Sequence, residues 1–213
     1  MFTRVFTSVF FAFTLGAFAT EPSPQDEASA DPSAPRFISP DGRYGLLVTE
    51  TDAESQNDRV EVIELATKRS LVVLSDPEAV GDRASDARLD WSEDSQRVAA
   101  YTGGRRGGTT QIFVREGDGF AEVKLPDLPD LPDPEKPSPA FAKKHKFKFL
   151  KWINTGSVEF VRWLKSGDVE VQAFNEIETV GNGIFRAQIN ATVVIDSKRH
   201  ATLKNIVKKE AFE

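Results

Sequence analysis

The chain has no cysteine among its 213 residues. That removes disulfides, thiolate metal sites, cysteine nucleophiles and any lipid-attachment cysteine at once. Its stability must therefore come from packing. Histidine is nearly absent too: His145 and His200 are the only copies, they lie far apart, and neither belongs to a zinc or triad motif. There is no GxSxG, HExxH or P-loop pattern. No cofactor is expected from such a sequence. After the first 19 residues no apolar run approaches the ~20 residues that a helical membrane span requires.

What is present begins at the N-terminus. Arg4 precedes an apolar run from Val5 to Phe18, which ends in Ala17-Phe18-Ala19. A short positive region, a brief hydrophobic core and a small-x-small site together form the pattern of a secretory signal peptide, here residues 1–19. The expected location is the periplasm or the outside of the cell, and the absence of cysteine favours a bacterial envelope. Cleavage removes Arg4, the single charge of that stretch, from a chain of formal net charge −6. The acidic balance argues against nucleic acid as a partner.

Residues 20–35 are rich in Pro, Ser, Ala and acid and read as a flexible leader. Residues 126–139 hold six prolines within a Leu-Pro-Asp repeat, the composition of a stiff extended linker. The remaining stretches, 36–125 and 140–213, alternate with period 2. Phe185 to Val193 is the clearest case: every odd position is apolar and every even one polar. Successive strand side chains point to opposite faces, so this segment predicts a half-buried strand. Asp41-Gly42, Asp118-Gly119, Ser166-Gly167-Asp168 and Gly181-Asn182-Gly183 supply turn residues between such runs. Two short stretches have helical spacing, 140–148 and 203–212.

Three segments align: 36–48, 88–100 and 159–169. Each starts with a short apolar strand, turns through a Ser/Asp/Gly cluster and enters a second strand. Hairpins follow each one, giving about four strands per unit. The expected fold class is all-β, with two units in 36–125 and a third in 140–213.

Ser39-Pro40-Asp41-Gly42-Arg43 resembles the SPDG turn of TolB-like and WD-repeat-related β-propellers. Trp91-Ser92-Glu93-Asp94-Ser95 looks like a variant of it, and Val62-Ile63-Glu64-Leu65-Ala66-Thr67-Lys68 is similar to the ending of that family's third strand. Trp163-Leu164-Lys165-Ser166-Gly167 is a weaker copy, without the Pro or Asp. The resemblance implies antiparallel four-stranded blade-like units and a binding or scaffolding role, and it carries no catalytic residue onto this chain. A closed propeller has roughly four to eight blades, and the chain has room for about three. The expectation is an incomplete propeller-like array, with a β-sandwich as the alternative. An oligomer that completes a ring stays open.

Two stretches are candidate binding sites. Gly103-Gly104-Arg105-Arg106-Gly107-Gly108 joins two expected strands; its glycines permit close backbone approach, and Arg105 and Arg106 suit an anion. The competing reading is an exposed hairpin tip. The run Lys143, Lys144, Lys146, Lys148 and Trp152 interleaves cations with aromatics, a composition that suits an acidic polymer or an acidic protein partner. The competing reading is a strand or helix with solvated lysines and inward aromatics. Asp52, Glu54, Gln56 and Asp58, like Asp76, Glu78, Asp82 and Asp86, are spaced as loop carboxylates without the glycine and closing glutamate of a calcium loop. The function expected from sequence is a non-enzymatic exported binding module. The alternatives are a carboxylate-dependent envelope hydrolase and an accessory subunit of a larger propeller.

Overall fold

Alternation dictates strands, and the computed structural model consists mainly of them. It describes residues 34–50, 58–74, 87–104, 107–181 and 183–212. Residues 1–33, which include the expected signal peptide (1–19) and most of the expected leader (20–35), together with Asp52, Glu54, Gln56, the acidic stretch 76–86, Arg105, Arg106 and Asn182, lie outside the described residues. Sheet 1 is β1 (Tyr44–Glu50), β2 (Asp58–Glu64) and β3 (Ser70–Val73). Sheet 2 is β4 (Arg88–Trp91), β5 (Arg97–Gly104), β6 (Gly107–Glu116) and β7 (Gly119–Val123). After a short helix α1 (Pro139–Lys144) comes sheet 3, made of β8 (Phe149–Trp163), β9 (Val169–Thr179), β10 (Gly183–Ile195) and β11 (Ala201–Phe212). Every strand pairs antiparallel with its sequence neighbour, so each sheet is a meander. The fold is all-β and blade-like, and the three sheets do not close into a ring or barrel. No helix among the described residues is long and apolar enough to cross a membrane.

Two expectations need correction. The four-strand count holds for sheets 2 and 3. In sheet 1 the place of the first strand is taken by one bridge, Arg36 to Leu46. The second correction concerns residues 203–212, which form β11 rather than a helix. The pairing runs Asn190 to Val207 and then Thr192 to Lys204, so Asn205 and Ile206 together face Ala191. Asn205 takes a positive φ of 52° there. One extra residue at a bulge flips the strand's parity: Leu203 packs into one core and Phe212 into another, on the same side of the sheet. That parity shift produces the three- and four-residue spacing that looks helical in the sequence.

The sheets stack face to face. Leu46, Val60 and Val62 of sheet 1 meet Leu89, Val98 and Phe113 of sheet 2. Ile112, adjacent to Phe113, points the other way and joins Val123 against Val169, Val171, Ala191 and Val193 of sheet 3. Sheet 2 is thus buried on both faces. Each fully buried aliphatic side chain contributes about 1.5–3 kcal/mol, which fixes the stacking without a disulfide. A third cluster, Ile177, Phe185 and Ala187, lies toward the other end of sheet 3 and is covered by Phe141, Phe147 and Phe212.

The repeat is visible in the turns. Ser39 Oγ donates to Asp41 Oδ1 at 2.6 Å and accepts from Tyr44 N at 3.0 Å. Ser92 Oγ does the same with Asp94 Oδ1 at 2.6 Å and Arg97 N at 2.9 Å. Gly42, Ser95 and Gly167 occupy one position with φ of 71°, 56° and 85°. The sheets are also tied in the same way at each junction. Trp91 Nε1 donates to Phe37 O at 2.7 Å, one residue before the Trp position of sheet 1, and Trp163 Nε1 donates to Asp90 O at 2.9 Å, one residue before Trp91.

Candidate functional site

The basic–aromatic run from Lys143 to Trp152 begins in α1 and ends in β8. Ser138 caps α1, its Oγ accepting from Phe141 N at 3.3 Å, with Pro139 in the first turn, where its missing N–H costs nothing. Ser138 also anchors the helix to sheet 3: its N–H donates to Glu210 Oε1 at 2.7 Å and its hydroxyl to Glu210 Oε2. Phe141 then reaches into the sheet, with ring centroids 4.9 Å from Phe185 and 5.6 Å from Phe212. Phe147 follows at 4.9 Å from Phe185. His145 stacks against Phe141 at 4.6 Å.

With Phe141 and Phe147 pointing inward, Lys143, Lys144, Lys146 and Lys148 are left exposed. Lys148 O accepts from Val180 N at 2.9 Å and pins the run beside the β9–β10 turn. Among the described residues Lys143, Lys144 and Lys148 make no ion pair, whereas Lys151 binds Glu178 at 2.9 Å. Phe149 and Trp152 meet edge to face at 6.3 Å. They are 36% and 41% exposed, so of the three aromatics that the competing reading turns inward only Phe147 packs against a core cluster. Trp152 Nε1 donates to Glu135 Oε1 at 3.0 Å, which turns the indole toward the proline-rich segment. The structure therefore gathers the predicted lysines and Trp152 at one end of sheet 3. They form a surface that can hold anionic groups beside an exposed aromatic pair.

The proline-rich segment is part of the same assembly. Leu125 and Leu128 pack against the core between sheets 2 and 3, and Asp130 O accepts from Lys208 Nζ at 3.4 Å. Asp127, Asp130 and Asp133 are exposed.

The glycine hairpin has a packing reason that the sequence reading missed. Gly103 and Gly108 are direct cross-strand partners, and the Tyr101 ring lies over both. A Cβ on Gly103 would sit 2.5 Å from Tyr101 Cε1, and one on Gly108 would collide with the same ring. Gly107 is pressed against sheet 3, where a Cβ would be 2.9 Å from Thr155 O. Arg88 lies over the Tyr101 ring, its guanidinium 4.6 Å from the ring centroid. The signal was present in the sequence as an aromatic two residues before the glycine pair.

Asp90 was also missed. Burial beside the sheet 2–sheet 3 junction pushes its carboxyl above the usual range, partly offset by Arg88 at 3.9 Å. Near it, Ser92, Asp94, Arg97, Trp163, Lys165 and Gly167 line an open groove bearing both signs of charge. His200 is exposed in a turn; its backbone N–H and that of Lys198 hold the Asp196 carboxyl below its ordinary value. Among the described residues no group of three or more His, Asp or Glu converges as a metal site would require. No protein-family model matches the chain, and no curated protein matches it.

Proposed function

We propose that the chain is an exported, non-enzymatic β-repeat protein that acts as a binding module in the cell envelope and docks an acidic polymer on Lys143, Lys144, Lys146 and Lys148. The observation that carries this reading is the way the run is held. Phe141, Phe147 and Ser138 fasten it to sheet 3, so the cations stand on a fixed support and little side-chain and backbone freedom beyond their own is lost on binding. The chain as a whole is acidic, which makes a local cationic patch a site of reversed sign. The exposed Phe149–Trp152 pair adds an apolar contact beside it. The resemblance of the turns to propeller repeats, which serve mostly as interaction platforms, points the same way.

The test is binding to a soluble polyanion, polyglutamate or heparin, at rising salt. The wild-type protein is expected to bind at low ionic strength and to weaken above about 0.15 M, as screened surface charges do. Replacing the four lysines together by glutamine should weaken binding at least tenfold without altering the circular dichroism. Equal binding by the two proteins, or none by the wild type in 50 mM salt, overturns the proposal. Binding of an acidic protein but neither polyanion would shift the partner class and refute the polymer.

A further inference from the structure

The two junctions between sheets follow one plan and are filled differently. Tyr44 N–H donates to Ser39 Oγ at 3.0 Å and Arg97 N–H to Ser92 Oγ at 2.9 Å, so Tyr44 and Arg97 leave their turns at the same position of the repeat. Ser95 and Gly167 share another position, marked by their positive φ. Between sheets 1 and 2 both positions carry packed side chains. Tyr44 is buried, stacked on Trp91 at 5.8 Å, and Phe120 meets it edge-on at 5.2 Å. Ser95 Oγ accepts from Asp41 N at 3.1 Å. Between sheets 2 and 3, Trp163 stands where Trp91 stands, but the residue at the Tyr44 position is Arg97 and the one at the Ser95 position is Gly167. The Arg97 guanidinium lies over the bare Cα of Gly167, since a Cβ there would be 2.5 Å from Nη1 and 2.7 Å from Cζ. An open groove of about 190 Å³ runs along this junction, lined by Glu93, Asp94, Arg97, Trp163, Leu164 and Lys165 among others.

We propose that this groove binds a free α-amino acid with an apolar side chain. Arg97 is the partner of its carboxylate. The Arg97 side chain is 30% exposed, and among the described residues its guanidinium makes no hydrogen bond; the Asp94 carboxylate with which it pairs is 3.9 Å away, outside hydrogen-bond reach. A guanidinium offers a fork of N–H donors, and a planar carboxylate takes two of them side by side. Lys165, on the facing turn, adds a second cation that forms no ion pair among the described residues. Asp94 selects against a simple anion. Ser92 Oγ at 2.6 Å and Gln96 N–H at 3.0 Å hold its carboxyl below the usual range, so it is ionised at neutral pH. Asp94 and Glu93 repel a phosphate or a dicarboxylate placed on Arg97, whereas a ligand with an ammonium beside its carboxylate pairs with both signs. The α-ammonium and carboxylate of an amino acid are one carbon apart, and Asp94 and Arg97 present their charges equally close together. Trp163 and Leu164 give the ligand's side chain an apolar wall. The groove is smaller than the ~300–1,000 Å³ of sites for drug-sized ligands, which suits a small molecule rather than a polymer. It shares no residue with the Lys143–Lys148 run.

The test is a titration of the folded full chain, labelled with nitrogen-15, followed by amide and indole NMR at neutral pH. The probes are L-leucine, 4-methylpentanoate, which lacks the ammonium, and L-leucinamide, which lacks the carboxylate. Each is taken to about 20 mM, enough to register a millimolar dissociation constant. L-leucine is expected to shift the Trp163 indole N–H, identified by its loss in Trp163→Phe, and the Gly167 amide, both saturably, while the Trp152 indole stays in place. Each analogue should bind at least tenfold more weakly. Arg97→Gln should weaken L-leucine at least tenfold. Asp94→Asn keeps an oxygen for the Ser92 and Gln96 bonds and removes the charge; it should weaken L-leucine at least threefold and strengthen 4-methylpentanoate. If Arg97→Gln fails to fold, Asp94→Asn decides. Absence of any shift with L-leucine overturns the proposal. So does 4-methylpentanoate binding as tightly as L-leucine, which would make the groove a plain anion site, and so does an unaltered L-leucine affinity in Asp94→Asn.

Discussion

Replacing Trp163 by phenylalanine tests whether the repeated indole–carbonyl tie holds the sheets together. The indole Nε1 donates to Asp90 O across the sheet 2–sheet 3 junction at 2.9 Å, and the ring packs on Phe160 at 5.5 Å and on the core formed by Ile112, Val169 and Val171. Phenylalanine keeps the aromatic contact but has no donor. The lost hydrogen bond is worth about 0.5–1.5 kcal/mol net, and trimming the indole to a phenyl ring removes roughly another 1 kcal/mol of burial. The expected loss is about 2 kcal/mol, or a Tm lower by roughly 4–8 °C for a chain of this size. The assay is urea unfolding followed by far-ultraviolet circular dichroism, with the m-value unchanged, since the same surface is exposed on unfolding. Trp152→Phe is the control. Trp152 also donates a hydrogen bond, but to the exposed Glu135, and its ring is 41% exposed, so its loss should stay under about 1 kcal/mol. Trp91→Phe should behave like Trp163→Phe, because it makes the equivalent tie to Phe37 O at 2.7 Å. If Trp163→Phe loses no more than Trp152→Phe, the tie does not hold the junction and the repeated geometry is incidental.

Asp90→Asn should raise Tm at pH 7. Burial lifts the folded carboxyl's pKa above its unfolded value, so its contribution to stability is full below the unfolded value near 3.9 and is lost as pH rises through the folded one. The neutral amide avoids that loss, so the gain should vanish near pH 3, where both states of the wild type are protonated; a gain that persists there would refute burial as the cause. Gly103→Ala should destabilise by about 1–3 kcal/mol, the usual range for overpacking, because the added methyl meets the Tyr101 ring at 2.5 Å. In a Tyr101→Ala background the same change should lose under about 0.5 kcal/mol in chemical denaturation, and an undiminished loss would place the strain elsewhere.

The parts of this fold that could be read from sequence are those set by local chemistry. Alternation from Phe185 to Val193 became β10, with its odd residues buried. The Ser-x-Asp turns at 39–41 and 92–94 formed with matching hydrogen bonds, because a serine hydroxyl and a carboxylate two residues apart close that turn by themselves. What the sequence left hidden depends on partners far along the chain. Nothing near Trp163 indicates that its donor reaches residue 90. Nothing near Asn205 shows that an extra residue must fit opposite Ala191. Tyr101 could have explained the glycines, but only once the hairpin register laid Gly103 against Gly108. The lysines were legible as a composition. Their support was not, because it rests on Phe185, Phe212 and Glu210 in strands that follow much later.

The third turn shows that the repeat is kept in conformation more firmly than in residues. Leu164 stands where Ser39 and Ser92 stand and has no hydroxyl to strap the turn. Gly167 N still donates to Leu164 O at 2.9 Å, as Gly42 N does to Ser39 O at 2.8 Å, and Gly167 still takes the positive φ. Its lack of a side chain has a second use here, since a Cβ would lie 2.5 Å from the Arg97 guanidinium of the neighbouring turn. Sheet 3 departs from the other two in a further way: β9, β10 and β11 run 11, 13 and 12 residues, against 4 to 10 for the strands of sheet 2. Longer strands extend their alternating apolar face past the core shared with sheet 2, and Ile177, Phe185 and Ala187 mark that extension. An apolar face of that kind must be covered, and residues 139–147 cover it with Phe141 and Phe147. The lysines share that segment with the covering phenylalanines, so the exposed cations are positioned by the same contacts that complete the core. A surface held this way cannot be loosened without also uncovering Phe185.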